Sequence, residues 1–180
     1  MAYLHVSCLM KFDAIDLTKK GNITYSLRRW ARSEKPFLSI VQVAFSGDYR
    51  SGSSGAPDAH YIEGMVRTVD AVWNPSAMVL DLRDLRYEWG DEMDLVLQPP
   101  KDISAIVVSP KCEPAISTLF YGIDTKKSVL DEPHFFDALD PAIDYVIQAL
   151  VADWNSKVEQ RPEWLTQADL ITTDELRQGS

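Results

Sequence analysis

Cysteine and histidine are scarce: two cysteines (Cys8, Cys112) and three histidines (His5, His60, His134) in 180 residues. Cysteines so few and so far apart exclude a disulfide framework and the paired spacing of a zinc site, and they point to a reducing, cytoplasmic setting. The scattered histidines offer no metal-ligand spacing and no nucleophilic triad. Long hydrophobic runs are missing as well. Every apolar stretch is broken within a few residues, short of the ~20 needed to cross a bilayer, so no membrane segment is expected. The amino-terminal MAYLHVSCLMKFDAIDL has no basic region followed by a long apolar one, and reads as no leader. A phosphate loop ending in Gly-Lys-Ser/Thr is absent, and so is a GxSxG nucleophile elbow. No catalytic, cofactor-binding or metal-ligating residue is therefore assigned.

What is present is an ordinary globular composition, 46% hydrophobic and 25% charged, in a chain long enough to bury a full core. The net charge of −9 is unevenly spread. Residues 1–36 hold seven basic side chains against three acids, a balance of +4 that leaves −13 on residues 37–180. A body that acidic repels phosphate backbones, which excludes nucleic acid as a direct partner. Two uses remain: dispersal in solution, and steering toward a basic protein partner.

The apolar rhythm predicts alternating strands and helices. Residues 1–36 read as a basic hairpin, or a strand with irregular chain, turning at Gly21-Asn22. Residues 38–45 (LSIVQVAF) predict a central strand covered on both faces. Residues 46–57 (SGDYRSGSSGAP) predict a flexible loop. Ile62, Met65, Val66, Val69, Val72 and Trp73 then recur at helical spacing, with Asn74-Pro75 as the stop. Residues 77–82 and 103–109 predict two more buried strands, each followed by a short helix, over 90–97 and from Pro114 through Phe120. Residues 128–130 predict an edge strand. Asp140-Pro141 reads as an N-cap with proline in the first turn, opening the clearest helix, through Trp154. The expected fold is α/β: a single mostly parallel sheet of four to five strands with helices packed on it. The expected organisation is a basic segment over 1–36, a domain over 37–154 and an extension over 155–180.

Residues 77–97 (AMVLDLRDLRYEWGDEMDLVL), 104–109 (SAIVVS) and 134–150 (HFFDALDPAIDYVIQAL) together resemble the STAS-like fold of anti-sigma-factor antagonists and sulfate-transporter cytoplasmic domains. The resemblance spans residues 37–150. It implies a non-catalytic domain that presents a loop and helix face to another protein. One departure bears on mechanism: where that family opens the helix with a phosphorylatable Asp-Ser pair, this chain has Trp89-Gly90-Asp91. The resemblance therefore implies docking without a phosphorylation switch.

The chemistry-bearing cluster is the same segment. Asp81, Asp84, Glu88, Asp91, Glu92 and Asp94 place six carboxylates in fourteen residues, interleaved with Arg83 and Arg86. The spacing of a calcium loop is missing, and acids in a first helical turn are favourable against its dipole without any ligand. Tyr87 and Trp89 among these acids have the composition of an interface. The expected binding set is thus Tyr87, Glu88, Trp89, Asp91, Glu92 and Asp94, facing a basic partner, in an immunity protein or antagonist. The competing reading is a small-molecule-binding protein or enzyme of the open α/β kind, crotonase-like or hydrolase-like. Its pocket would lie between the Ser/Gly loop and the loop over 81–91. A structural subunit, with an apolar strip near Trp154 and Trp164, is a third. Cys112, beside Lys111, is the one candidate nucleophile, set against Glu113 as its other neighbour. Arg28, Arg29, Trp30 and Arg32 form a basic aromatic knot that pairs most simply with the chain's own carboxylates.

Overall fold

A computed structural model describes residues 16–31, 38–161 and 165–177. Cys8, Arg32 and Trp164 lie outside the described residues. Among the described residues the sheet has six strands in sequential order, β1 (Lys19–Lys20), β2 (Ile23–Ala31), β3 (Ser39–Asp48), β4 (Ala77–Arg86), β5 (Ser104–Val107) and β6 (Phe135–Phe136). That is more than the four to five expected. The basic hairpin accounts for the difference, because β2 pairs antiparallel with β3 over eight residues and extends the same sheet. From β3 to β6 the pairing is parallel.

Each parallel connection advances to the next strand in one direction. Right-handed crossovers then force every connecting helix onto one face. These are α1 (Ala56–Trp73), α2 (Met93–Val96) and α3 (Glu113–Tyr121), and they close a core on Val43, Phe45, Leu80, Leu82 and Ile106. The helix after the last strand, α4 (Leu139–Gln160), crosses the opposite face. It buries Ala142, Val146, Ile147 and Leu150 against Ala77, Val79, Ala105 and Val107. Lys101 holds the end of α1, its ammonium 2.9 Å from Asp70 and 3.1 Å from the Asn74 side chain, where a cation complements the helix dipole. Asn74 itself takes the left-handed conformation that ends the helix.

Several elements differ from expectation. Residues 46–57 are no flexible loop: β3 runs on to Asp48, and a 3-10 turn (Gly52–Gly55) leads directly into α1. Val72 and Trp73 fall outside the buried stripe, and the Arg29 guanidinium covers the Trp73 ring at 5.5 Å. The edge strand is Phe135–Phe136, and residues 128–130 instead enter a 3-10 turn because the Ser128 hydroxyl and Asp131 form a capping box there. Helix α4 begins after Ala138, so Asp140 sits inside its first turn and is not its cap. Beyond α4 the chain packs back. Trp154 Nε1 donates to the Asp169 carbonyl at 2.7 Å, Asn155 exchanges two hydrogen bonds with Ile171, and Leu176 of α5 (Thr173–Arg177) is 1% exposed. The strip is therefore partly covered at Trp154. Among the described residues no helix is long and apolar enough to cross a membrane.

Candidate docking surface at the end of the sheet

Strand β4 is ten residues long, four more than its apolar run predicts, and it carries one extra residue relative to β3: Ala44 pairs with Asp81, but Ser46 pairs with Asp84. A bulge of this kind flips every later side chain to the other face. Met78, Leu80 and Leu82 point toward α1, and after the bulge so do Leu85 and Tyr87. Tyr87 is consequently 3% exposed and does not contribute docking area, which corrects its place in the expected binding set.

Tyr87 and Tyr49 instead lock two loops together at the carboxyl ends of β3 and β4. Their rings meet edge-on with centroids 5.1 Å apart. The Tyr49 hydroxyl donates to the Asp91 carbonyl at 2.6 Å, the Tyr87 hydroxyl donates to the Gly90 carbonyl at 3.1 Å, and Asp91 N–H donates to the Gly52 carbonyl at 3.1 Å. Burial raises the proton affinity of both phenols, and for Tyr49 the neighbouring Tyr87, Asp58 and Glu92 add to it. Gly90 is required by space: a Cβ there would lie 2.7 Å from both the Arg50 carbonyl oxygen and the Tyr49 ring. Asp58, 1% exposed in the first turn of α1, accepts from the backbone and guanidinium of Arg50 at 2.6 to 3.0 Å. The Ser/Gly segment is thus a braced turn. The space where a pocket between the two loops was expected is filled by the two tyrosine rings.

Trp89 stands on this braced base, 62% exposed, with its ring edge across Gly52. Beside it Leu119 is 43% and Ile123 90% exposed, and with Glu88 and Asp91 these residues line an open concavity of about 240 Å³. Glu88, Asp91 and Asp94 are exposed and carry no ion pair among the described residues, while Glu92 pairs with His60 at 2.5 Å. The sequence reading missed Leu119 and Ile123 because it marked only a short helix from Pro114 through Phe120 and gave no side of it to solvent. The available signal was that α3 is apolar on more than one side, with Ile116 fully buried and Leu119 and Phe120 turned outward.

The remaining acids are dispersed. Asp81, 5% exposed, accepts from Arg83 Nε at 2.9 Å, from Arg83 Nη2 at 2.7 Å and from Gln42 at 2.9 Å. Burial works to raise its pKa, but the Arg83 hydrogen bonds and charge outweigh it and hold the carboxyl below its usual range. Asp84 pairs with Lys111 at 2.8 Å, and Arg86 with Asp48 at 2.6 Å. Among the described residues no three potential metal ligands converge. The Cys112 thiol is fully buried, donates to the Leu82 carbonyl at 3.4 Å, and is pushed toward its protonated form by that burial. That environment suits packing and opposes nucleophilic use. Comparison with protein-family models, with curated proteins and with solved structures returns no match for this chain.

Proposed function

We propose that this chain is a non-enzymatic, cytoplasmic protein-binding domain of STAS-like architecture that docks a basic partner through Trp89, Leu119 and Ile123. Glu88 and Asp91 rim that surface, and with Glu92 and Asp94 just along the chain they steer the approach. The most concrete form of the reading is an immunity protein or antagonist. One observation carries it: a large aromatic ring is held 62% exposed on a loop whose base is locked by two buried tyrosines. A braced aromatic loses little freedom on binding, and exposed aliphatic neighbours with unpaired acids at the rim have the anatomy of an interface.

The test is comparative capture. A basic protein retained by the native chain should be lost with Trp89→Ala, since a central tryptophan contributes ~2 kcal/mol or more to such interfaces. The double reversal Glu88→Lys with Asp91→Lys should slow association and flatten its salt dependence. Undiminished capture by Trp89→Ala, with unchanged kinetics in the charge-reversed chain, rejects this surface.

A further inference from the structure

Helix α4 packs on β4, β5 and β6, and β2 with the adjoining part of β3 floors an open groove beside it. The groove has a volume of about 310 Å³, within the ~300–1,000 Å³ of small-molecule sites. The sheet register arranges its floor in rows. Trp30 pairs with Ile40 and Ile40 with Ala77, an apolar row. Arg28 pairs with Gln42 and Gln42 with Val79, a mixed row. Beyond the groove, Ser26 pairs with Ala44 and Ala44 with Asp81, beside a separate small concavity. The floor therefore grades from the apolar Trp30 and Ile40 to the polar Arg28 and Gln42 toward the carboxyl ends of the parallel strands, and Ile143 and Ile147 of α4 form the apolar wall.

Charge narrows the occupant. Arg177, on the rim, is neutralised by Asp144 at 2.7 Å, and the Asp81 carboxylate is held by Arg83. Arg29 also borders the groove, but its guanidinium lies over Trp73 on the other side of the sheet. Arg28 is exposed and has no ion pair among the described residues. An apolar trough ending at one uncompensated guanidinium complements an amphipathic monoanion. We infer that this groove binds a small fatty carboxylate, its tail on Ile40, Val79, Ile143 and Ile147 and its head group on Arg28. The site is on the opposite face of the sheet from α3 and does not depend on the docking surface.

The experiment is calorimetric titration of the full chain with decanoate below its micellar concentration. Decyltrimethylammonium, with the same tail and the opposite charge, is the control. Decanoate should bind saturably at one site and at least about tenfold more tightly than the cation, and Arg28→Gln should weaken it by about tenfold. Ile143→Glu, at a half-buried wall position, should abolish binding while the chain stays folded by circular dichroism. Equal affinity for the two amphiphiles overturns the inference, as does binding indifferent to Arg28→Gln and Ile143→Glu. So does binding lost on Trp89→Ala alone, which would place the probe on the exposed indole. A dimer of the native chain that Ile143→Glu dissociates would assign the groove to a second copy and likewise overturn it.

Discussion

The two faces of the sheet share the same strands but differ in how they are closed. Three crossovers of one hand deliver α1, α2 and α3 to one side, and their side chains cover it from β3 to β6. Among the described residues the other side receives only the helix that follows the last strand, together with the returning carboxyl-terminal segment. One helix spans about 10 Å of a sheet whose strands lie about 4.8 Å apart, so it covers two or three strands and not the whole face. Connection handedness thus decides which face of the sheet is closed and which is left half-open. The closed face supplies stability and the braced loops at its end, and the half-open face supplies a groove.

The largest expected effect tests that asymmetry directly. Leu82→Ala, at a fully buried position on β4 facing the closed side, should cost about 2–5 kcal/mol in denaturant unfolding. Ile143→Ala, half-buried at the open groove, should cost well under half of that. Equal costs would mean that the groove is as tightly packed as the core, and the contrast between the faces would fail.

The open face keeps one buried charge in place, and Asp81→Asn probes it. Hydrogen bonds to a charged group contribute about 1.5–3 kcal/mol, so the variant should lose that much at neutral pH. The carboxyl titrates lower in the folded chain than its ordinary 3.8, so its contribution is present above that value and is lost as the pH falls through the folded one. Native and variant stabilities should therefore converge below about pH 4. A gap that stays constant into acid would remove the Arg83 pairing as its cause.

Gly90→Ala addresses the seam between the two loops. The added methyl meets the Arg50 carbonyl and the Tyr49 ring, neither of which can yield without breaking the Tyr49 bond to Asp91. Overpacking of this kind costs about 1–3 kcal/mol. Trp89→Ala, one residue away but exposed, should stay within ~0.5 kcal/mol of the native stability. Thermal unfolding of the two variants separates the brace from the residue it presents.

Much of this was legible in the chain, and the failures have physical causes. The strands at residues 38–45, 77–82 and 103–109 and the helices from Ile62 and Ala142 announce themselves because their apolar periods extend over several repeats. The exposure of Trp89 had a different signal: a tryptophan among carboxylates has few neighbours to bury it. Tyr87 was not, because its direction depends on a bulge between Asp81 and Asp84 that only the pairing with β3 reveals. The bracing of residues 49–55 was hidden too, since it comes from hydrogen bonds to a loop about forty residues away. Helix α2 starts only at Met93 because Glu92, just before it, adopts the left-handed conformation, which no local apolar period announces.

A modest effect is the one most specific to the brace. Tyr49 and Tyr87 are both buried and both hold their protons more tightly in the folded chain than an ordinary phenol near pH 10. Above that pH the unfolded chain has released those protons while the folded chain retains them. Stability must then fall as pH rises, by up to about 1.4 kcal/mol per pH unit for each tyrosine. Tyr49→Phe removes one of the two and the hydrogen bond to Asp91, so it should cost about 1 kcal/mol at neutral pH. It should also have a shallower decline between about pH 10 and 11. Lysines titrate in the same range, but they are common to both proteins and cancel in the difference. If urea midpoints of native and variant chains fall in parallel through that window, Tyr49 does not carry its proton into the fold, and the two loops are held together by something other than this pair of phenols.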